Sequence, residues 1–285
     1  MIHSVFVAYD GSPGARSALR LAALFAAPSR GKIYIGPWVE ALPDPAAAIS
    51  LSMGTMDLMA APPSQPLIDD WMRQREEREI RARELFNECS FLLKGESIAV
   101  DSVPLDNLVE AEWLARLPLV DLVVLGRHGI DADGNHLGHT IETCLRGATQ
   151  PVLVASSTGH TPDEIVALVG DCAGALPVLA NAVRLAHEMG WPLSIATASG
   201  SIETGQDCFA AVGQYLKDHH LPPTVDLIPA TQGKDAALIE YLKLHPTALL
   251  VMGAFGESRV HEWLTGSTTR TVLTQLDNSV ILTRH

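Results

Sequence analysis

Four cysteines in 285 residues, Cys89, Cys144, Cys172 and Cys208, stand far apart with no paired spacing such as C-x-x-C. That argues against a disulfide framework and suits isolated thiols in a reducing compartment. Long apolar runs are missing as well: no window of about 20 uncharged apolar residues occurs, and the start, Met1 to Asp10, turns charged before a signal-length run develops. The expected location is the cytoplasm, with no membrane span. Basic residues are the third scarcity, 20 Lys and Arg against 33 Asp and Glu, for a formal charge of -13. Split at residue 157, the balance is 13 against 20 before it and 7 against 13 after it, so neither half hides a basic module. Such a field repels phosphate backbones and anionic lipid, which removes nucleic acid and membrane surfaces as partners. Any anionic ligand must be held by local groups.

What the chain does have is enough apolar material for a core, 47% hydrophobic residues, and an internal repeat. Asp121 to Gly129, DLVVLGRHG, parallels Ala248 to Gly256, ALLVMGAFG, at an offset of 127 residues, and Pro151 to Ala155, PVLVA, parallels Ser279 to Thr283, SVILT, at 128. The openings Val5 to Asp10, VFVAYD, and Val166 to Asp171, VALVGD, are 161 apart, so the first copy carries roughly 34 more residues before its fourth strand. The excess is assigned to Glu40 to Leu67, with five prolines and three methionines, plus a longer following helix. This segment reads as a surface excursion or as an apolar flap over the first crevice.

Within each copy, short β-branched runs alternate with stretches of helical period, the pattern of a parallel sheet with crossover helices. Strands are expected near residues 3–9, 32–38, 98–103, 119–125 and 151–155, then 165–170, 192–197, 225–229, 247–252 and 279–283. The fold class is therefore α/β, two tandem doubly wound five-stranded parallel units spanning 1–157 and 162–285, with a small polar linker at Ser156 to Pro162. Ser12 followed by Pro13 predicts a capped helix beginning at Pro13. Asp69 to Lys94, charged on most faces, reads as a solvated helix without chemistry.

The strongest local signal lies where strand 247–252 meets Gly253-Ala254-Phe255-Gly256, followed after nine residues by Gly266-Ser267-Thr268. Glycines let backbone approach a ligand, and a helix starting near Ser267 offers unpaired N–H groups and its positive dipole end. The two hydroxyls would add donors to a phosphate, or ligate a metal it carries. In an open parallel sheet this is the strand end at which ligands sit.

With its opening VAYDGS, its strand-four L-G-x-x-G, its later G-S and its final PVLV strand, the chain resembles the universal stress protein family, nearly throughout and twice over. The resemblance implies strand order 3-2-1-4-5 in each copy, a pseudo-twofold pairing of the two final strands as an intramolecular dimer, and ATP, with or without Mg2+, as cofactor. By position it implies a second-copy site of Asp171, Ala196, Gly253, Gly256, Gly266, Ser267 and Thr268, with Ala196 against adenine. The first-copy counterpart is Asp10, Gly126, Gly129, Gly138 and Thr140. That loop departs from the pattern: eight residues separate Gly129 from Gly138, and His139 stands where a serine or threonine is expected. The second copy departs at its opening, where Cys172-Ala173-Gly174 replaces Gly-Ser-Pro.

Plainer readings stand beside these. Asp10 and Asp171 could serve only as turn or cap residues, and the glycine loop as a turn. His128, His136, His139 and Glu142 cluster, and the last three share one helical face, as metal ligands can, yet exposed loop histidines are commoner and no metal is assigned. No nucleophile, base and orienting acid occur at a recognised spacing, so no catalytic residue is named. The leading expectation is an ATP-binding stress-response regulator whose nucleotide occupancy changes conformation or a protein partner's access, with little turnover. The alternatives are an interaction module that has lost nucleotide binding in one or both copies, and a slow ATP hydrolase. Further homo-oligomerisation is not readable.

Overall fold

The computed structural model describes residues 1–39, 65–103, 120–127, 141, 144–145, 147–169, 175–199, 202–222, 224–230, 233–255 and 267–284. Ten strands form one continuous sheet: β1 Ser4–Tyr9, β2 Lys32–Pro37, β3 Ala99–Ser102, β4 Leu122–Gly126, β5 Val152–Ala155, β6 Ile165–Leu168, β7 Leu193–Ser199, β8 Val225–Pro229, β9 Leu249–Phe255 and β10 Val280–Arg284. Their order is β3-β2-β1-β4-β5-β10-β9-β6-β7-β8. Each half thus has the expected 3-2-1-4-5 order with parallel neighbours. The halves join where β5 and β10 pair antiparallel, Ile281 opposite Leu153.

Both faces of the sheet are covered, which is why the inner strands read as nearly unbroken apolar runs. Along β1, Val5, Val7 and Tyr9 face one helical layer and Phe6 the other. The first layer holds α1 Pro13–Ala26, α2 Gln65–Leu92, α3 Ala175–Met189 and α4 Ile202–Asp218. The second holds the helical residues 141, 144 and 145 with α5 Lys234–Leu242 and α6 Ser267–Gln275. The first helix starts as its sequence dictates: Ser12 Oγ accepts the Ala15 amide at 3.0 Å, with proline in the first turn.

Three departures from the expected bounds matter. Strand β7 runs to Ser199 and β9 to Phe255, two and three residues beyond expectation, so Gly253 lies inside β9 and not after it. The solvated helix begins at Gln65, so the last three residues of the expected excursion open α2. The rest of that excursion, 40–64, is outside the described residues. Along α2 the charges pair three and four apart, as in Arg73 with Glu77 at 3.3 Å and Arg75 with Glu79 at 3.4 Å.

Contacts outside the β5–β10 ladder also bind the halves. The Phe25 ring meets Trp191 edge-on at 6.1 Å. Asp277 accepts from the amides of Ser157 and Thr158 at 2.7 and 3.0 Å and from both hydroxyls at 2.5 Å. Burial pulls the Asp277 pKa upward, but these four donors outweigh it and hold the carboxyl below its ordinary value.

Candidate functional site

In the second half the strand end and the helix start that frame the glycine-rich stretch are tied together. Helix α6 begins at Ser267, as expected, and the buried Thr269 donates its hydroxyl to the Gly253 carbonyl at 3.3 Å. The first turn of α6 is therefore seated on the strand from which the loop departs. It carries no acidic residue of its own, and the amides of a helix's first turn lack intrahelical partners and face the positive dipole end.

Thr268, the one expected phosphate donor whose side chain is described, is already engaged: its hydroxyl hydrogen-bonds the carboxylate of Asp235. Asp235 stands in the first turn of α5, just after Gly233 at φ +105°, a backbone geometry that favours glycine. Two helix starts thus meet at the carboxyl ends of the strands. Sequence reading missed Asp235, although an acid in the first turn after a glycine is a recognisable helix opening. Hydroxyl and carboxylate oxygens are the donor type that Mg2+ takes, so these residues fit a nucleotide-borne Mg2+. Among the described residues there is no cluster of three or more His, Cys, Asp or Glu able to hold a metal by itself.

Ala196 is fully buried in the core between sheet and helices, its carbonyl accepting the Val169 amide at 3.0 Å. The longer β7 places the strand's carboxyl end at Ser199, three residues on, so the end of the strand is not at Ala196. Asp171, Gly256 and Gly266 lie outside the described residues.

In the first half, Asp10 forms a turn: its Oδ1 accepts the Ser12 amide at 2.8 Å, and Gly11 between them has φ +84°. Helix α2 lies against this turn, since a Cβ on Gly11 would meet Leu85 at 3.1 Å and Arg81 at 3.5 Å. The seal is polar as well. Tyr9 donates its hydroxyl to Glu88 at 2.8 Å, and Arg16 Nε donates to the same oxygen at 2.9 Å. Burial, then the Glu88 bond, drives the Tyr9 pKa up, and burial raises the neighbouring Cys89 thiol to about 12.

Gly126 has a packing duty. A Cβ there would stand 2.5 Å from the Gly14 carbonyl carbon and 2.7 Å from the Ala15 nitrogen, where α1 crosses the end of β4. The next residue, Arg127, is buried and points into the second half. Gly129, Gly138, Thr140 and the cluster of His128, His136, His139 and Glu142 lie outside the described residues.

The chain is thus two doubly wound halves of one sheet, joined by an antiparallel ladder, an α/β fold. The model of the universal stress protein family matches residues 1–156, more than half of the chain, and the chain belongs to that family. It is 29% identical over 174 residues to the universal stress protein Slr1230 of Synechocystis, a match spanning 58% of this chain and 58% of the relative. A universal stress protein from Archaeoglobus fulgidus superposes over 99% of this chain and 98% of its own, with a TM-score of 0.74 at 15% identity, a likeness of fold. Another structure, of the universal stress protein from Archaeoglobus fulgidus in complex with dAMP, covers 43% of this chain and 97% of its own at 17% identity and a TM-score of 0.36. No described helix is long and apolar enough to cross a membrane.

Proposed function

We propose that this chain is a cytoplasmic stress-response regulator that binds ATP in its second half, at a site built from Asp171, Gly253, Gly256, Gly266, Ser267 and Thr268, and turns it over little. Residues 1–157 and 162–285 are, in this reading, two units of one fold, the first with a degenerate loop. One observation carries it: Thr269 fixes the start of α6 to the Gly253 carbonyl, so the ends of the glycine-rich stretch are held where backbone amides can converge on an anion. In a chain of net charge -13, local amides are the means by which a phosphate can be retained.

The Thr268–Asp235 bond supplies a way for occupancy to be read. A phosphate at the α6 start takes the Thr268 hydroxyl as a donor, Asp235 loses it, and the first turns of α5 and α6 come apart unless a cation bridges phosphate and carboxylate. The consequence is a surface at the strand ends that differs between empty and filled states, on which a protein partner can discriminate.

Calorimetric titration of ATP with Mg2+ tests this. One site is expected in the wild type, and Gly266→Asp, which puts a side chain and a negative charge in the loop, should abolish it. A wild type that gives no heat and no competition with a fluorescent adenine nucleotide overturns the assignment and leaves the interaction module.

A further inference from the structure

The first half's glycine loop opens Gly126-Arg127, and Arg127 does not turn toward its own crevice. Its side chain is buried and reaches across the junction to the far end of α6. One terminal nitrogen donates to the Leu273 carbonyl at 2.6 Å and to that of Leu276, and the other donates to the Asn278 carbonyl. Leu273 stands in the last turn of the helix whose start is the proposed phosphate site, where carbonyls lack intrahelical partners, and Leu276 and Asn278 follow its end at Gln275. Nε, buried without a hydrogen-bond partner among the described residues, faces the Asp277 carboxylate at 3.9 Å. Asp277 in turn holds Ser157 and Thr158 of the linker.

The antiparallel junction explains the encounter. Strands β4 and β9 run in opposite senses, so the carboxyl end of β4 lies beside the carboxyl end of α6. The corresponding residue of the second half is Ala254, which has no side chain able to return the contact. Among the described residues the tie runs from Arg127, at the end of β4, to α6.

Resting on the nucleotide reading above, we propose that Arg127 is a positioning residue for the second-half phosphate site, coupling the end of β4 to α6. It acts in two ways. Its three carbonyl bonds fix where the nine-residue helix points, and its positive charge at the helix carboxyl end reinforces the dipole that faces the anion about 13 Å away along the axis. Both effects favour the phosphates of a nucleotide and are indifferent to its base. A displacement of the end of β4 moves Arg127 and so changes the second site, and by linkage occupancy of the second site acts back on that strand end.

The test uses the full chain as wild type, Arg127→Met and Arg127→Lys, each titrated with ATP and with adenosine, and with α6 amide exchange followed by mass spectrometry. Arg127→Met should bind ATP about tenfold more weakly while adenosine affinity changes less than twofold, and its α6 amides should exchange at least tenfold faster. Arg127→Lys, which keeps the charge but not the planar fork, should recover part of the ATP affinity. If Arg127→Met does not fold, Arg127→Lys carries the test, with a loss of about two- to fivefold for ATP alone. Equal losses for ATP and adenosine, or unchanged ATP binding in a folded variant, overturn the coupling while leaving the nucleotide site intact. A wild type that binds neither ligand overturns the nucleotide reading itself and this role with it.

Discussion

Gly126→Ala separates packing from ligand contact at a glycine that the family resemblance assigns to nucleotide. The added methyl would stand 2.5, 2.7 and 2.9 Å from the Gly14 carbonyl carbon, the Ala15 nitrogen and the Gly14 oxygen. All three are backbone atoms, in the first turn of a helix pinned by the Ser12 cap and packed against β4. No side chain can swing aside, so α1 or the end of β4 must shift by several tenths of an ångström. Overpacking of a tight core costs about 1–3 kcal/mol, and an unyielding backbone puts this case toward the upper end. At about 2–4 °C per kcal/mol for a chain of this size, the thermal midpoint should fall by roughly 4–12 °C, without any nucleotide present. Gly213→Ala is the matched control: Gly213 lies inside α4 with nothing within 4 Å of its added Cβ, so the same chemical change should stabilise by up to about 1 kcal/mol. Thermal unfolding followed by circular dichroism reads both. A Gly126→Ala midpoint within a degree of wild type would refute the packing argument and return the residue to a role in ligand approach.

The Asp235→Asn change removes a carboxylate from beside the phosphate hydroxyl Thr268, so Mg2+-free ATP should bind about tenfold more tightly than to wild type, given like-charge repulsion of about 1 kcal/mol or more at such range; titration in EDTA decides, and unchanged affinity would remove Asp235 from the site. Acid should act through Asp277, whose folded pKa is depressed. Its contribution is complete above the unfolded carboxylate value near 4 and disappears as pH falls through the lower folded value. Melting curves between pH 6 and 2.5 should show the wild type losing stability steeply at the acid end, and Asp277→Asn, less stable at pH 6, losing less; parallel curves would contradict this.

The sheet was legible in the sequence because parallel strands buried on both faces leave apolar runs such as Leu122 to Leu125, and because the two copies could be read against each other. Helix starts were legible where a cap and proline coincide, as at Ser12 and Pro13. Strand ends were less so. Gly253 and Ser199 carry no apolar signal, yet β9 and β7 continue through them because neighbouring strands supply ladder partners, Thr283 for Gly253 and Pro229 for Ser199. The glycine pattern pointed to a helix start near Ser267, and α6 begins there. Its polar neighbours were not legible, because Asp235 and Arg127 come from segments 33 and 141 residues away from Thr268 in sequence, and only the fold brings them to α6. An arginine in a glycine loop invites a ligand role; its orientation away from its own crevice follows from the antiparallel ladder, which no local pattern encodes.

That ladder also fixes how the two halves are directed. Because β1 and β4 run against β6 and β9, the carboxyl ends of the strands in the two halves face opposite edges of the shared sheet. A ligand held at one set of strand ends therefore cannot touch a ligand held at the other, and any influence between them has to pass through the shared sheet and the helices packed on it.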